Sequence, residues 1–415
     1  MYLTGVNLRR LRLISRKFDT LSTYFASYLA GRLFNRCAPL PAGPARVMVF
    51  KLDNAGDVVL SSLVMPQVSD MLGGAEIVYV VKKGLGGLLN QVDCVSGVIE
   101  VPSGLGHCSR VGSSEREGLR ASKKIIKKAI KDFRPHIIID LRPTALGNYG
   151  ALSGWFSGVR RRVSLDRQRL KEIFGREKKM KWQRHEVKSF CAALEDAGVF
   201  SRGGDYRSWL TFWKGAQKSA LMASGRYFLL QPGAVWEYKR WPERNYASLI
   251  DSLAEHYPAH SFVLAGSPDE KDVCSRVAEM TGKKTKEKVL NFAGKTTINE
   301  LISLVSGAEM VIANDSGVAH IAGAAGKKTV VFFGPSSPER FMPLSERRER
   351  VKVFHYKLPC NPCDQDECRE GPHTYCLARI NPGEVVEYIR FSLGAGGEKE
   401  QSDTRHKREH FLSCQ

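Results

Sequence analysis

Met310-Val311-Ile312-Ala313-Asn314-Asp315-Ser316-Gly317-Val318-Ala319-His320-Ile321-Ala322-Gly323-Ala324-Ala325, followed by Thr329-Val330-Val331-Phe332-Phe333, is the stretch that decides the fold. A short apolar run over Met310–Ala313 predicts a strand buried on both faces. The chain then turns on small polar residues, and a helix rich in Ala and Gly is expected over Gly317–Ala325. A second apolar run, Thr329–Phe333, predicts the next strand. Strand, crossover helix and strand in this order make a parallel sheet covered on both sides. The helix beginning at the strand end would aim free backbone N–H groups and a positive dipole end at a ligand, which suits a diphosphate. Asp315 or Ser316 could equally serve as the N-cap of that helix, and capping is compatible with anion binding.

The same alternation extends outward in both directions. Downstream, Gly334-Pro335-Ser336-Ser337-Pro338 is a second rigid turn at the same sheet edge, and Asn381-Pro382-Gly383-Glu384 has capping-box spacing, opening a helix to about Phe391. Upstream, strands are predicted over Tyr227–Leu230, ending in Gln231-Pro232-Gly233-Ala234, and over Ser261–Ala265. Helices are predicted over Pro242–Tyr257, from Asp269 onward, and over Asn299–Ser306. The first half opens with Arg46-Val47-Met48-Val49-Phe50-Lys51-Leu52, again a strand of the buried kind. The turn Asp53-Asn54-Ala55-Gly56-Asp57 follows, then a helix over Val58–Leu72. Strands at Ile77–Val81, Val98–Val101 and His136–Leu141 alternate with helices at Leu85–Val92, Ser122–Phe133 and His185–Ala197. Two consecutive doubly wound α/β domains therefore face a cleft, and ligands in open α/β sheets sit outside the carboxyl ends of the strands. The expected boundaries are a leader and linker at 1–45, one domain at 46–215, a second at 216–393, and a polar tail at 394–415.

A chain of 415 residues suits two domains, and its net charge of +20 implies polyanionic partners: nucleic acid, anionic lipid or phosphorylated substrates. No apolar run reaches the roughly 18 residues a membrane span needs, and the N-terminus lacks signal-peptide character, so a cytoplasmic protein is expected. Between Asn7 and Cys37, seven Arg or Lys residues face one acid in a loosely helical apolar spacing. Such a segment either lies on an anionic membrane surface or packs on the first domain. The basic stretch 160–188 is either a solvated face or a seat for an anionic acceptor. Six of the ten cysteines are scattered. Cys360, Cys363, Cys368 and Cys376 cluster within seventeen residues, open to a structural zinc or to reduced thiols, with an essential metal not favoured.

Two further constellations bear on chemistry. Lys239, in Trp236-Glu237-Tyr238-Lys239-Arg240-Trp241-Pro242, follows a strand-ending Pro-Gly and is placed to neutralise a phosphate leaving group. Asp57, at a strand end in the opposing domain, can act as general base on an acceptor hydroxyl, or Asp53 or Asp57 can simply cap the next helix.

With these residues in hand, the sequence resembles the heptosyltransferases of lipopolysaccharide core assembly, glycosyltransferase family nine, over roughly Arg46 to Phe391. The specific part is Val311–Ala322 followed by Phe332–Pro338, against the family patterns N-D-[ST]-G-x-x-H-x-A and F-G-P-[ST]-x-P. Gln231-Pro232-Gly233-Ala234 through Lys239-Arg240-Trp241-Pro242 matches H-P-G-A…K-R-W-P, with Gln231 where His is common. Leu52–Leu60 matches the early G-D-V-[VL]-L segment, and the cysteine cluster recurs in many members. The resemblance implies a GT-B fold and a metal-independent, inverting transfer of heptose from ADP-heptose to the lipid A-linked inner core, with no cofactor, peripheral on the inner face of the inner membrane. Carried over by position, Asp57 is the catalytic base and Lys239 binds the donor phosphate. Gly233, Asn314, Asp315, Ser316, Gly317 and His320 line the donor, and Glu270 takes the acidic place at the nucleotide ribose. The extended leader is not a standard family feature. The same fold with another nucleotide sugar or a protein acceptor is an alternative. A nucleic-acid binder and a non-catalytic scaffold are rivals of other classes; the first is disfavoured by only Phe174 and Trp182 within the basic stretch, the second by intact Asp57 and Lys239.

Overall fold

The computed structural model describes residues 42–102, 113–141, 159, 161–164, 185–201, 225–363, 368 and 375–394. Most of the basic leader, residues 165–184 of the basic stretch and the tail beyond residue 394 lie outside the described residues. Two all-parallel sheets organise the molecule. The first has the order β3-β2-β1-β4-β5, with β1 at Arg46–Lys51, β2 at Glu76–Lys82, β3 at Val95–Val101, β4 at Ile137–Asp140 and β5 at Arg161–Ser164. The second has the order β11-β10-β9-β6-β7-β8. Its strands are β6 (Arg226–Gln231), β7 (His260–Leu264), β8 (Val289–Asn291), β9 (Met310–Asn314), β10 (Thr329–Phe333) and β11 (Val351–His355).

The order decides where a ligand can sit. In the first sheet the winding reverses between β1 and β4, and in the second between β6 and β9. Crossover connections leave from opposite sides at such a point, so a crevice opens beyond the strand ends. The chain leaves β1 into Asp53–Asp57, β6 into Pro232–Gly233 and β9 into Asp315–Gly317. Every one of the three predicted turns therefore lies at a switch point.

The helices flanking these strands are α1 (Ala55–Ser62), α2 (Met65–Met71), α3 (Ser113–Phe133), α4 (Glu186–Asp196), α5 (Glu243–His256), α6 (Lys271–Met280), α7 (Ile298–Gly307), α8 (Gly317–Ala324), α9 (Pro338–Phe341) and α10 (Pro382–Ser392). The central strands β1, β6, β9 and β10 are buried almost throughout. Phe228, Leu230, Ile312, Val330 and Phe332 pack with Trp241, Tyr246 and Leu249 on one face of the second sheet. Met48, Phe50, Val80 and Ile138 pack with Ile126 and Ile130 of α3 on one face of the first.

Four expectations need correction. The helix predicted over 58–72 is two helices, because Pro66 has no N–H to continue the ladder and α2 restarts around it. The helix predicted from Ser122 begins at Ser113, since its first turns are polar and carry no apolar period. The edge strands β5, β8 and β11 go beyond the predicted strands. A strand packed on one side only has no continuous apolar run, and β8 and β11 are indeed only partly buried. Finally, Ser316 occupies the N-cap position of α8, but the helix takes no side-chain cap from it or from Asp315.

Candidate active site

Asn314, at the end of β9, is fully buried. Its Oδ1 accepts from the Trp241 N–H (2.9 Å) and the Tyr246 hydroxyl (3.2 Å). Its Nδ2 donates to the carbonyls of Pro232 (2.8 Å) and Gly233 (2.9 Å). All of these bonds stay within the protein, so Asn314 pins the β6 turn and the Lys239 loop to the β9 turn. The Asn314 side chain is therefore engaged in bracing the turns of the site. A buried amide satisfied on every side is stable, and losing it would leave several groups unpaired.

Asp315 follows, and its Oδ2 accepts from Lys239 Nζ at 2.6 Å and from the Ser336 hydroxyl at 2.5 Å. Ser336 comes from the Gly334–Pro338 turn after β10, whose residue in contact the sequence did not single out. Burial alone would raise the Asp315 pKa. The Lys239 charge and the bonds from Lys239 and Ser336 outweigh it and bring the carboxyl below its ordinary value. Lys239 is held in a short 3-10 turn, Glu237–Lys239, with its ammonium 5.7 Å from the Phe341 ring centre. A cation is thus held beside the N-terminus of a helix whose first N–H groups have no side-chain cap.

Ser316 donates to Gln231 Oε1 at 2.6 Å, and Gln231 Nε2 donates to Glu270 Oε1 at 3.1 Å. The other Glu270 oxygen accepts from the Ser267 N–H at 2.7 Å. Gly233 lies against this carboxylate: a Cβ there would fall 2.3 Å from Glu270 Cδ. Gly233 is therefore required for close approach, and Glu270 ties β6 to the turn after β7.

The opposing domain meets this frame through helix N-termini. A Cβ on Gly317 would lie 2.9 Å from Ala55 Cβ, and one on Gly56 would lie 2.5 Å from His320 Cδ2. The first turns of α1 and α8 are consequently in van der Waals contact across the cleft, which only glycine allows. His320 is buried, its Nδ1 has no hydrogen-bond partner among the described residues, and burial pushes its pKa down to about 4. It is a neutral imidazole at physiological pH.

Asp57 stands in the first turn of α1, half-buried, with Oδ2 accepting from the Asn54 N–H at 3.3 Å. Burial raises its pKa above the carboxylate norm. Lys51 opposes that rise, while Asp53 and Glu186 add to it. The N-cap of α1 is Asn54, and Asp57 takes part in the capping as its N3 partner, one residue after the Gly56 that meets His320 of α8. Two more pairs join the domains beside the cleft. Arg340 of α9 bonds Glu186 at the start of α4 (3.0 Å), and His185 Nε2 donates to the Met342 carbonyl (2.9 Å). Neither Glu186 nor Arg340 was legible in the sequence, where each is one charge among many.

Two of the four clustered cysteines border the turn that carries Ser336: the Cys363 N–H donates to the Pro335 carbonyl at 2.9 Å, and a Cβ on Gly334 would fall 3.3 Å from Cys376 Sγ. Cys360 is exposed, Cys363 and Cys368 are half-buried and Cys376 is buried, its thiol pushed up to about 11 by burial. Among the described residues, no three of His, Cys, Asp and Glu lie close enough together to hold a metal ion. No helix among those residues is long and apolar enough to cross a membrane.

Two Rossmann-like domains with their switch points facing one cleft, and an anion-ready helix N-terminus on one side, define the GT-B class. Residues 155–374 match the family model for glycosyltransferase family 9 (heptosyltransferase), and the chain belongs to that family. Lipooligosaccharide heptosyltransferase 2 of Haemophilus influenzae is 30% identical over 149 residues, 36% of this chain and 42% of that protein's length. Lipopolysaccharide heptosyltransferase 1 of Pseudomonas aeruginosa is 24% identical over 379 residues, covering 84% of this chain and 98% of its own. The E. coli ADP-heptose lps heptosyltransferase II structure superposes with a TM-score of 0.61 at 19% identity, over 83% of this chain and 97% of that one. At that identity the superposition speaks for the fold.

Proposed function

We propose that this protein transfers a heptose from ADP-heptose to the inner core of lipopolysaccharide, with inversion and without a metal. The observation that carries this is the Lys239–Asp315 pair at the uncapped start of α8, with the first turn of α1, the turn that also carries Asp57, in contact with α8 through Ala55 and Gly56. Asp57 takes the proton from an acceptor hydroxyl as that oxygen attacks the anomeric carbon. The bond from that carbon to the diphosphate oxygen breaks, and its electron pair leaves with ADP. One displacement inverts the configuration, so one base suffices. Lys239 and the α8 N–H groups offset the charge gathering on the diphosphate. The family and its named relatives support heptose, ADP and lipopolysaccharide as the reactants. In this reading residues 46–215 bind the acceptor and 216–393 the donor, with 1–45 a leader and 394–415 a tail. The test is turnover on a panel of ADP-, GDP- and UDP-sugars: ADP-heptose is expected to be used, and exclusive use of another donor would reject the heptose assignment in favour of a relative with different specificity.

The acceptor sits on a lipid, and α3 supplies a surface suited to it. Ile126 and Ile130 anchor one face of α3 in the core, while Arg120, Lys124, Lys127, Lys128 and Lys131 are exposed. With its apolar face occupied, the helix would lie on an anionic bilayer without inserting, as a peripheral protein of the cytoplasmic face does. Each lysine near such a surface contributes ~1 kcal/mol. Reversing Lys124, Lys127 and Lys131 to glutamate should weaken co-sedimentation with phosphatidylglycerol vesicles by about 100-fold on that basis. Unchanged partitioning would exclude α3 as the contact.

A further inference from the structure

We propose that Lys51 is a positioning residue that keeps the Asp57 carboxylate ionised for its role as base. This rests on the reading of Asp57 given above. Lys51 closes β1 and is completely buried, directly after the apolar run Val47–Phe50. An isolated ammonium there would be expelled or would give up its proton. It is instead fixed from three directions at the switch point between β1 and β4. Its Nζ lies 2.7 Å from Asp53 Oδ2, donates to the Leu141 carbonyl at 2.8 Å, and sits 5.2 Å from the Phe190 ring centre of α4.

Around this ammonium, the turn and α4 gather carboxylates. Asp53 pairs with Lys51, Asp57 follows one turn of helix later, and Glu186 of α4 acts on both Lys51 and Asp57. Burial opposes the charge on Lys51, but these three acids together raise its pKa above the lysine norm. Arg340 engages Glu186 at 3.0 Å and so occupies the third acid from the far domain. His320, which faces the same turn from α8, is neutral and contributes no charge. The Asn54 N–H reaches Asp57 only at 3.3 Å. Of the groups acting on Asp57, Lys51 is therefore the cation that offsets burial and two neighbouring acids. Without it, crowded carboxylates would retain a proton, and a protonated Asp57 cannot accept one from the acceptor.

A lysine that merely stapled β1 to β4 through Leu141 would stabilise the fold and leave Asp57 untouched. The charge reading instead demands opposite effects from two substitutions. Removing the cation raises the Asp57 pKa, so the carboxylate form is lost at a higher pH. Removing Asp53 lowers it, so the carboxylate form persists to a lower pH. The experiment is a pH titration of the Asp57 side-chain carbon by 13C NMR in the full-length protein, the resonance being the one absent from Asp57→Asn. Lys51→Met should move the midpoint up by about one pH unit or more, and Asp53→Asn should move it down. The acid limb of kcat/KM with ADP-heptose should follow in the same directions. A midpoint unmoved in Lys51→Met overturns the proposal, whatever Asp53→Asn does. If Lys51→Met does not fold, Lys51→Gln takes its place in the same titration, and an unmoved midpoint there has the same meaning. Should Asp57→Asn retain full transfer activity, the base assignment falls while the titration still reports on the charge cluster.

Discussion

Asp57→Asn is expected to lower transfer by about 10²–10⁴-fold, the range that removing a positioned general base produces, with nucleotide affinity kept at the wild-type level. The two effects separate because Asp57 and the donor frame stand on different sheets. Asparagine keeps the shape of the side chain but cannot take the acceptor proton. It relieves the like-charge crowding with Asp53 and Glu186, so the fold should be at least as stable as the wild type. The pH dependence has a definite sign. The folded-state pKa of Asp57 is raised, so activity should be full above that value and fall as pH drops through it, at a higher pH than an ordinary aspartate would show. Single-turnover rates alongside calorimetric ADP binding check both halves. Wild-type turnover in the asparagine variant would remove Asp57 from the chemistry.

Lys239→Ala should cost about 10²–10³-fold in turnover, as losing one preorganised charge at a developing anion does. Unlike Asp57→Asn, it should also weaken nucleotide-diphosphate binding and reduce stability. Asp315 is left buried with only Ser336 as partner, which costs ~1–3 kcal/mol for an unsatisfied buried group. Here too the sign follows from the shift. The Asp315 pKa is depressed in the fold, so its stabilisation is complete above the unfolded value and lost as pH falls through the folded one. Without Lys239 that loss should begin at a higher pH. Thermal melts across the acid range, paired with ADP affinity, make the check. A variant with normal ADP affinity and normal turnover would show that the Lys239–Asp315 pair is only a structural clasp.

Most of this site was legible before any coordinates. Asp57, Lys239, Asp315, Ser316, Gly317 and His320 follow strands buried on both faces, and such strands advertise themselves as unbroken apolar runs with small polar residues after them. The switch-point strands β1, β6 and β9 are of this kind. Edge strands β5, β8 and β11 are not, because a strand with one neighbour has no need of an apolar residue at every position. Lys51 left a trace that went unused: a lysine inside Arg46–Leu52 must find a partner in the interior. Glu186, Arg340 and Ser336 left none, since a single charge or hydroxyl on a helix or turn looks like its exposed neighbours.

The sequence by itself determined two parallel, doubly wound sheets and the turns at which a ligand could sit, because burial on both faces and the small residues of strand-helix turns are local constraints. It also carried the family motifs. Only the tertiary structure decided what each side chain does there. It turned Asn314 into a buried brace and committed Glu270 to Ser267 and Gln231. It left the start of α8 uncapped by drawing Ser316 to Gln231 and Asp315 to Lys239. It also gathered Lys51, Asp53, Asp57 and Glu186 around one point. Hydrogen bonds and charges act between residues up to 157 positions apart in this chain. Their partners are chosen by the way two sheets face each other, which no window of sequence contains.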